Sequence, residues 1–327
     1  MRIAFCSDQY LPMLSGLVDS LETLAQELRT QGHEVRIYAA NMPGTVPSEH
    51  VFRFPAWAIP GTKGGAIFSL PFGAMRDIRN FKPDVIHTEL FGGAGLFAWY
   101  AARKLRVPLV GTDHTFPADY LYGLNFPPFP YLARKYAAWY YGRCDVVTTP
   151  SRSLLEELRA YGMKKPGKII SNPVAHQFLP LANKLELKKK FDIAERAIAV
   201  FGRIAKEKNL DAALEVFAKI SENSDAQLVF IGDGPYRAAL EARTRSARVK
   251  FLGALRDRPL VEALNACDVL LITSTSENQP MTLLQAYACG LPIVAAQAGG
   301  LPDYVQSGVS GYVVPPSDIN QFAERTL

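Results

Sequence analysis

Long apolar runs are missing from this sequence. The longest uncharged apolar stretch covers residues 91–102, well short of the ~20 residues that a membrane-spanning helix needs. Near the start, residues 3–6 form a brief apolar run that Ser7 and Asp8 close, which is not a signal-peptide pattern. Cysteine is scarce as well. Cys6, Cys144, Cys267 and Cys289 are widely spaced and form no CxxC pair, which excludes a disulfide framework or a zinc site and fits reduced, buried thiols in a cytoplasmic protein. No metal-ligand cluster, low-complexity segment or short repeat is visible. Nor is there a strong charge of one sign: 36 Lys and Arg stand against 31 Asp and Glu, a net charge of +5. The excess lies in residues 1–170, with 19 basic and 14 acidic side chains, whereas residues 171–327 hold 17 of each. A basic first half suits an anionic partner (a phosphate, a lipid headgroup or a nucleic acid), although a dispersed +5 is also an ordinary solubility charge.

What is present is a folded chain. With 327 residues, 48% of them hydrophobic and 20% charged, it is long enough for two domains at roughly 150 residues each and for large cores without staples. Short apolar, often β-branched runs at 3–6, 34–39, 84–87, 108–111 and 145–149 alternate with helical patterns. One such pattern is 18–31, where Leu21, Leu24, Ala25 and Leu28 recur at helical spacing and Gly32 supplies the stop. The rhythm restarts at 197–201, 227–231, 249–252, 268–272, 292–295 and 311–314. Strands alternating with helices predict parallel sheets with right-handed crossovers, hence an α/β protein of two doubly wound domains. The boundary is expected within 172–195, where Asn172-Pro173, Pro180 and the charged stretch 184–190 interrupt the pattern, giving domains 1–172 and 173–327. Ser317 and Asp318 read as a helix start, and only nine residues follow Asp318, which implies a truncated terminal helix.

Two segments break the alternation. Residues 52–75 are rich in Phe, Trp, Pro and Gly. Residues 116–142 combine Phe116, Tyr120, Tyr122, Phe126, Phe129, Tyr131, Tyr136, Trp139, Tyr140 and Tyr141 with Arg134, Lys135 and Arg143. That mixture fits either a membrane interface holding an amphiphilic substrate or a helix that packs its rings inward.

Several loops carry residue types suited to phosphate and sugar. Gly93-Ala94-Gly95-Leu96-Phe97-Ala98 matches the dinucleotide pattern GxGxxA, with Asp113 about 20 residues on. It follows an internal strand, however, whereas that fingerprint opens its domain, so a dehydrogenase is disfavoured. Gly202-Arg203 and Lys208 sit between a strand and a helix, where α/β folds bind ligands, and two such cations can neutralise a diphosphate. Alone they would read as solvated surface. Glu277-Asn278-Gln279-Pro280-Met281 reads as opening a helix that runs to about Cys289. The amides of Met281 and Thr282 would then offer a phosphate site at its N-terminus.

These pieces fall in an order that resembles the retaining glycosyltransferases of family 4, which have the GT-B fold of two Rossmann-like domains facing across a cleft. The matching motifs are the loop 12–16, Gly32-His33-Glu34-Val35, Lys82-Pro83-Asp84-Val85-Ile86-His87, Thr112-Asp113-His114-Thr115, Thr149-Pro150-Ser151 and Asn172-Pro173. They continue with Gly202-Arg203, Gly232-Asp233-Gly234-Pro235, Phe251-Leu252-Gly253 and 277–292. The resemblance implies a nucleotide-diphosphate sugar held by the second domain and an acceptor held by the first, with no cofactor and no metal. By motif position, Arg203 and Lys208 clamp the diphosphate and Gly16 approaches it. His114 hydrogen-bonds the donor sugar. Gln279, Met281 and Thr282 belong to the donor loop. Glu277, first acid of the family's Glu-x7-Glu motif, holds the sugar hydroxyls.

Two departures stand out. Gln285 replaces the second Glu of that motif, which normally holds the nucleotide ribose; a carboxamide still accepts one hydroxyl bond but loses the charge-assisted pair. Pro280 replaces a glycine. The expectation is a retaining, metal-independent hexosyltransferase, cytoplasmic or peripheral at the inner face of the membrane, with no nucleic-acid partner. Locally, Glu277-Asn278-Gln279 and 114–120 are similar to bacterial enzymes that glycosylate diacylglycerol or phosphatidylinositol. A soluble sugar or polysaccharide-precursor acceptor, and a non-catalytic nucleotide-sugar-binding protein, stay open at this point.

Overall fold

The computed structural model of the chain describes residues 1–13, 15–58, 67–114, 129–244 and 246–327. Its backbone forms two compact units, Met1–Pro173 and Val174–Leu327. In the first, strands β1 (Arg2–Ser7), β2 (Glu34–Ala40), β3 (Val51–Phe54), β4 (Ala56–Ala58), β5 (Ile67–Ser69), β6 (Val85–Thr88), β7 (Leu109–Thr112), β8 (Val146–Thr149) and β9 (Gly167–Ile169) follow in chain order. Seven of them make one sheet, ordered β3-β2-β1-β6-β7-β8-β9, in which every pairing is parallel. Alternate side chains of a strand point to opposite faces. Accordingly Ile3, Phe5, Ile37 and Ala39 pack on Val18, Leu21 and Ala25 of the helix Gly16–Thr30. Ala4, Cys6, Tyr38 and Ile86 face the helices Ala74–Phe81, Gly93–Leu105 and Phe129–Tyr141 on the other side.

The five strands expected here are all found, each within about one residue. Four more were not foreseen. Strand β3 adds an edge to the parallel sheet, β4 and β5 pair antiparallel, and β9 closes the opposite edge. Three- and four-residue edge elements bury too little to leave a hydrophobic period, and the Pro and Gly around 52–75 masked them. Gly32 does stop the first helix, at φ +83°. The aromatic segment divides. Tyr140 and Tyr141 are fully buried, their hydroxyls donating to Gly95 O (2.7 Å) and Thr112 O (3.0 Å). Tyr131 and Trp139 are exposed, while Phe116, Tyr120, Tyr122 and Phe126 lie outside the described residues.

The second unit repeats the plan. Strands β10 (Ala197–Phe201), β11 (Gln227–Ile231), β12 (Val249–Gly253), β13 (Val269–Ile272), β14 (Ile293–Ala296) and β15 (Gly311–Val314) form a parallel sheet ordered β12-β11-β10-β13-β14-β15. The charged stretch 184–190 is no linker. It forms most of the helix Lys184–Phe191, and Lys188 is buried with its Nζ 2.8 Å from Asp268 Oδ2. Asp268 also accepts from the Ala197 amide at 2.8 Å. Burial alone would raise this carboxyl, but Lys184, Lys188 and that amide hold it below its ordinary range. Asp318 caps the helix Ile319–Thr326 by accepting from Gln321 N at 2.9 Å, and Phe322 enters the core. All four cysteines are free and buried.

In each sheet the winding direction reverses once, between β1 and β6 in the first unit and between β10 and β13 in the second. The loops leaving the carboxyl ends of such strand pairs diverge, which makes room for a ligand.

Candidate active site

In the second unit, the reversal point gathers residues that are far apart in sequence. Gly202 and Arg203 follow β10, and a short 3-10 turn, Lys206–Lys208, leads through Asn209 into the helix Leu210–Asn223. Asn209 is locked to the end of β13: its Nδ2 donates to Thr273 O (3.2 Å), and Thr273 Oγ1 donates to Asn209 O (2.9 Å). This reciprocal pair sets the loop so that Lys208 Nζ lies 2.6 Å from Glu277 Oε1. Arg203 reaches instead to the Glu207 carboxylate on its own loop, where about half of its side chain stays exposed (47%). The two cations expected on a diphosphate thus share a loop but face different carboxylates.

Glu277 does not open the helix, contrary to expectation. Pro280 takes an extended conformation (φ −68°, ψ 133°) as the capping residue, and the helix is Met281–Ala288. Proline fixes its own φ and disfavours helical geometry in the residue before it, so 277–279 are left as a loop. Asn278 and Gln279 are buried in that loop. The turn after β14 backs it: Gly300 N donates to Glu277 O at 2.8 Å, and a Cβ on Gly299 would strike that oxygen. Thr282, in the first turn of the helix, lies against Gly202, where a Cβ would come 3.2 Å from Thr282 Cγ2. Gln285 follows on the next turn and is only 6% exposed. The structure therefore gathers Gly202, Lys208, Glu277, Met281 and Thr282 at one sheet end. A cation, a carboxylate and a helix N-terminus whose first turn carries no acid converge there.

In the first unit, Gly16 is the first residue of the helix after β1, capped by Ser15 Oγ, which accepts from Val18 N. His114, just beyond β7, has its Nε2 2.5 Å from Glu89 Oε2. Glu89 follows β6 and is buried. Its other oxygen lies 3.4 Å from His87 Nε2, which itself sits 2.7 Å from Thr112 Oγ1. Burial pushes the His87 imidazole below its ordinary value. Burial would raise Glu89, but the two facing histidines more than offset it and keep the carboxyl low. Among the described residues no group of three His, Cys, Asp or Glu side chains is disposed to hold a metal ion. Sequence reasoning missed Glu89, because only the β6–β7 pairing brings it beside a histidine 25 positions away.

The GxGxxA match resolves differently. Gly93 opens the helix Gly93–Leu105, and at its N-terminus Ala94 N donates to Asp8 Oδ1 at 3.0 Å. Ser69 Oγ also donates to Asp8, and a Cβ on Gly92 would strike Asp8 Oδ2. The chain's own carboxylate fills the place a pyrophosphate would take in a dinucleotide fold.

Comparison with known proteins agrees with this geometry. Residues 14–178 match the family described as Glycosyltransferase Family 4, and residues 195–327 match Glycosyl transferases group 1. The chain belongs to glycosyltransferase family 4. Among its relatives, a GDP-mannose-dependent alpha-mannosyltransferase of Mycolicibacterium smegmatis is 32% identical over 93% of this chain and 82% of that protein. The alpha-monoglucosyldiacylglycerol synthase of Streptococcus pneumoniae is 30% identical over 90% of this chain and 71% of its own length. Anabaena HepE in complex with UDP has the same fold, with a TM-score of 0.77 at 20% identity over 100% of this chain and 89% of that one. This glycosyltransferase thus joins two Rossmann-like domains, and the site residues of each lie at the carboxyl end of its sheet.

The contact between the turn after β14 and the loop 277–279 can be tested through glycine alone. Gly308 (φ +78°) has open space around its Cα, so Gly308→Ala should cost only the ~1–2 kcal/mol of left-handed backbone. Gly299 (φ +54°) carries the same backbone cost plus the clash with Glu277 O. Gly299→Ala should therefore lose a further ~1–3 kcal/mol in denaturant titration. Equal losses would mean that the turn does not support Glu277.

Proposed function

We propose that this glycosyltransferase moves a hexose from a nucleotide-diphosphate sugar to a lipid acceptor, with retention, while lying on an anionic membrane surface. The observation that carries the donor half is the Lys208–Glu277 pair beside the N-terminus of the helix Met281–Ala288. On binding, the diphosphate would meet Lys208, Arg203 and the amides of Met281 and Thr282, and Glu277 would turn to the sugar hydroxyls. Bond breaking puts charge on the departing diphosphate, so cations and amides already aimed at it lower the barrier. The remainder comes from holding acceptor and donor in place. Attack from the face of the leaving group preserves the anomeric configuration.

The acceptor half rests on a surface. The helices Gly93–Leu105 and Phe129–Tyr141 contain no Asp or Glu. Leu96, Tyr100, Tyr131, Leu132 and Trp139 are exposed on them at helical spacing, with Arg103, Lys104 and Lys135 alongside. The two stripes adjoin: the rings of Trp99 and Trp139 are 6.3 Å apart, and the Arg143 guanidinium lies 3.7 Å over Trp139. Aromatic rings at headgroup depth with flanking cations suit an anionic bilayer. No helix among the described residues is long and apolar enough to cross one. A relative named for monoglucosyldiacylglycerol synthesis supports a diacylglycerol-type acceptor.

Incubation with nucleotide sugars and vesicles containing diacylglycerol tests the whole reading. The expected product is a glycolipid with the donor's anomeric configuration, read from the proton coupling of the new linkage. Donor binding with neither transfer nor hydrolysis would instead mark a nucleotide-sugar-binding protein.

Calorimetric titration of the nucleotide sugar tests the donor residues. Lys208→Ala should weaken binding by about 2–5 kcal/mol, with a smaller loss in Arg203→Ala because Arg203 is the more exposed cation. Gln285→Glu should tighten binding about fivefold, on the order of 1 kcal/mol, as a charged hydrogen bond replaces a neutral one. Unliganded, the same variant should melt lower than wild type, since a charged carboxylate would take the place of a neutral amide at a buried position. Wild-type affinity in Lys208→Ala would remove the diphosphate assignment.

Vesicle flotation tests the surface. Each cation near an anionic membrane is worth about 1 kcal/mol, so changing Arg103, Lys104 and Lys135 together to Gln should weaken binding by roughly two orders of magnitude. Wild-type binding should also fall as salt rises. Equally poor retention of the wild type by anionic and neutral vesicles would sink the membrane reading.

A further inference from the structure

We infer that the first unit carries an anion site of its own, a pocket at the amino end of its sheet in which Arg103, Arg106 and Arg143 bind a phosphate group. The cavity measures about 220 Å³, and Trp99, Leu109 and Asp145 line it together with the three arginines. At ~30 Å³ per water it has room for roughly seven waters, enough for a phosphate and part of the ester that carries it. It lies apart from the loops described above. Leu109 opens β7 and Asp145 precedes β8, so the pocket sits at the strand ends opposite to those that carry Thr112 and Thr149. Nothing in the chain neutralises its charge. The acid on its wall, Asp145, turns Oδ2 to the Leu109 amide, which donates to it at 2.9 Å. Among the described residues none of the three arginines forms an ion pair, unlike Arg36 with Asp77 (2.8 Å) and Arg134 with Glu157 (3.0 Å) in the same unit.

The guanidiniums are held by rings instead of carboxylates. Arg143 lies 3.7 Å over Trp139 and 5.9 Å from the Trp99 ring, and its Nη1 donates to Trp139 O at 3.0 Å. Arg103 lies 5.2 Å from the same Trp99 ring. Stacking takes the face of a guanidinium and leaves its N–H edge, the part that matches two phosphate oxygens. Arg106 ends the helix Gly93–Leu105 in the left-handed region, at φ +56°. Glycine takes that backbone without strain, so the arginine is kept there against a backbone cost. The carbonyl end of the helix favours a nearby cation, but Arg103 and Lys104 on its last turn already supply that. The pocket adjoins the proposed membrane surface through the Trp99–Trp139 ring pair. A lipid headgroup is therefore one source of the phosphate, and a soluble phosphate ester is the other. The lipid source rests on the membrane reading; the pocket itself does not.

Arg106→Gly is the deciding variant, because it deletes one cation while relaxing the backbone and should melt no lower than wild type. Titration with glycerol 3-phosphate, followed by tryptophan fluorescence, should show saturable binding. That binding should weaken about tenfold in Arg106→Gly and in Arg143→Gln, the weight of one charge-assisted hydrogen bond. Nucleotide-sugar affinity should stay at the wild-type value in both, and Lys208→Ala should show the reverse pattern. Flotation distinguishes the sources. Vesicles carrying phosphatidylglycerol and vesicles carrying oleate, matched in surface charge, both attract a basic surface, but only the first carry their charge on a phosphate. A wild-type preference for phosphatidylglycerol that is lost in Arg106→Gly assigns the pocket to a headgroup. Glycerol 3-phosphate binding without that preference assigns it to a soluble ester. If neither glycerol 3-phosphate nor phosphatidylglycerol distinguishes wild type from Arg106→Gly, the pocket is no phosphate site and the inference is overturned. Failure of the wild type to float with any vesicle strikes the membrane reading and leaves the titration to decide the pocket.

Discussion

A parallel sheet wound outward in both directions must reverse its winding at one strand pair, and the loops leaving that pair part from each other. Everything chemically suggestive in this chain hangs from those loops. In the second unit they leave β10 and β13, and in the first β1 and β6, with β7 next in line. The loops that part there are tied down by side-chain and loop contacts beyond the strand ladders: Asn209 with Thr273 and Gly300 with Glu277 in the second unit, Glu89 with Cys6 in the first. The polar groups that shape the site are therefore held by the bonds that fix these loops.

Most of the framework was legible because buried parallel strands must be apolar. Runs such as Ala197–Phe201 and Ile293–Ala296 are covered on both faces and leave no other reading. Edge strands escape that logic. Gly167–Ile169 is short, carries a lysine and is half exposed, so nothing in its composition separates it from a loop. The charged run 184–190 misled for the opposite reason: its Lys188 is buried, and the carboxylate that makes that burial tolerable is Asp268, eighty positions on, with Ala194 O as a further acceptor. The helix boundary at Pro280 was missed because proline suits both the capping position and the first turn, and only the observed ψ separates them.

The site was partly legible, and in a particular way. Residue types and their order pointed to Arg203, Lys208, Glu277 and His114, because motifs preserve local spacing. Pairings were not legible. Lys208 meets Glu277 across 69 positions and His114 meets Glu89 across 25, and both contacts depend on strand order, which a linear pattern does not carry. Nor could the GxGxxA motif be dismissed on spacing alone. Its glycines serve close packing against Ser69, Leu90 and Tyr140, which only the folded chain shows.

The two units solve one electrostatic problem in opposite ways. A helix N-terminus at the carboxyl edge of a sheet carries positive potential and attracts an anion. In the first unit, that end of the helix Gly93–Leu105 receives the carboxylate of Asp8, which is fully enclosed and whose acidity is lowered by burial. In the second unit, the helix Met281–Ala288 has no acid in its first turn, and the nearby Glu277 is engaged by Lys208. A diphosphate arriving at the first unit would have to displace a buried carboxylate that is part of the fold. At the second it would exchange one anion for another at an ammonium that is 29% exposed, while also gaining the helix amides. The same fold thus closes one anion site and keeps the other open, which supports the proposal that the nucleotide sugar binds the second unit.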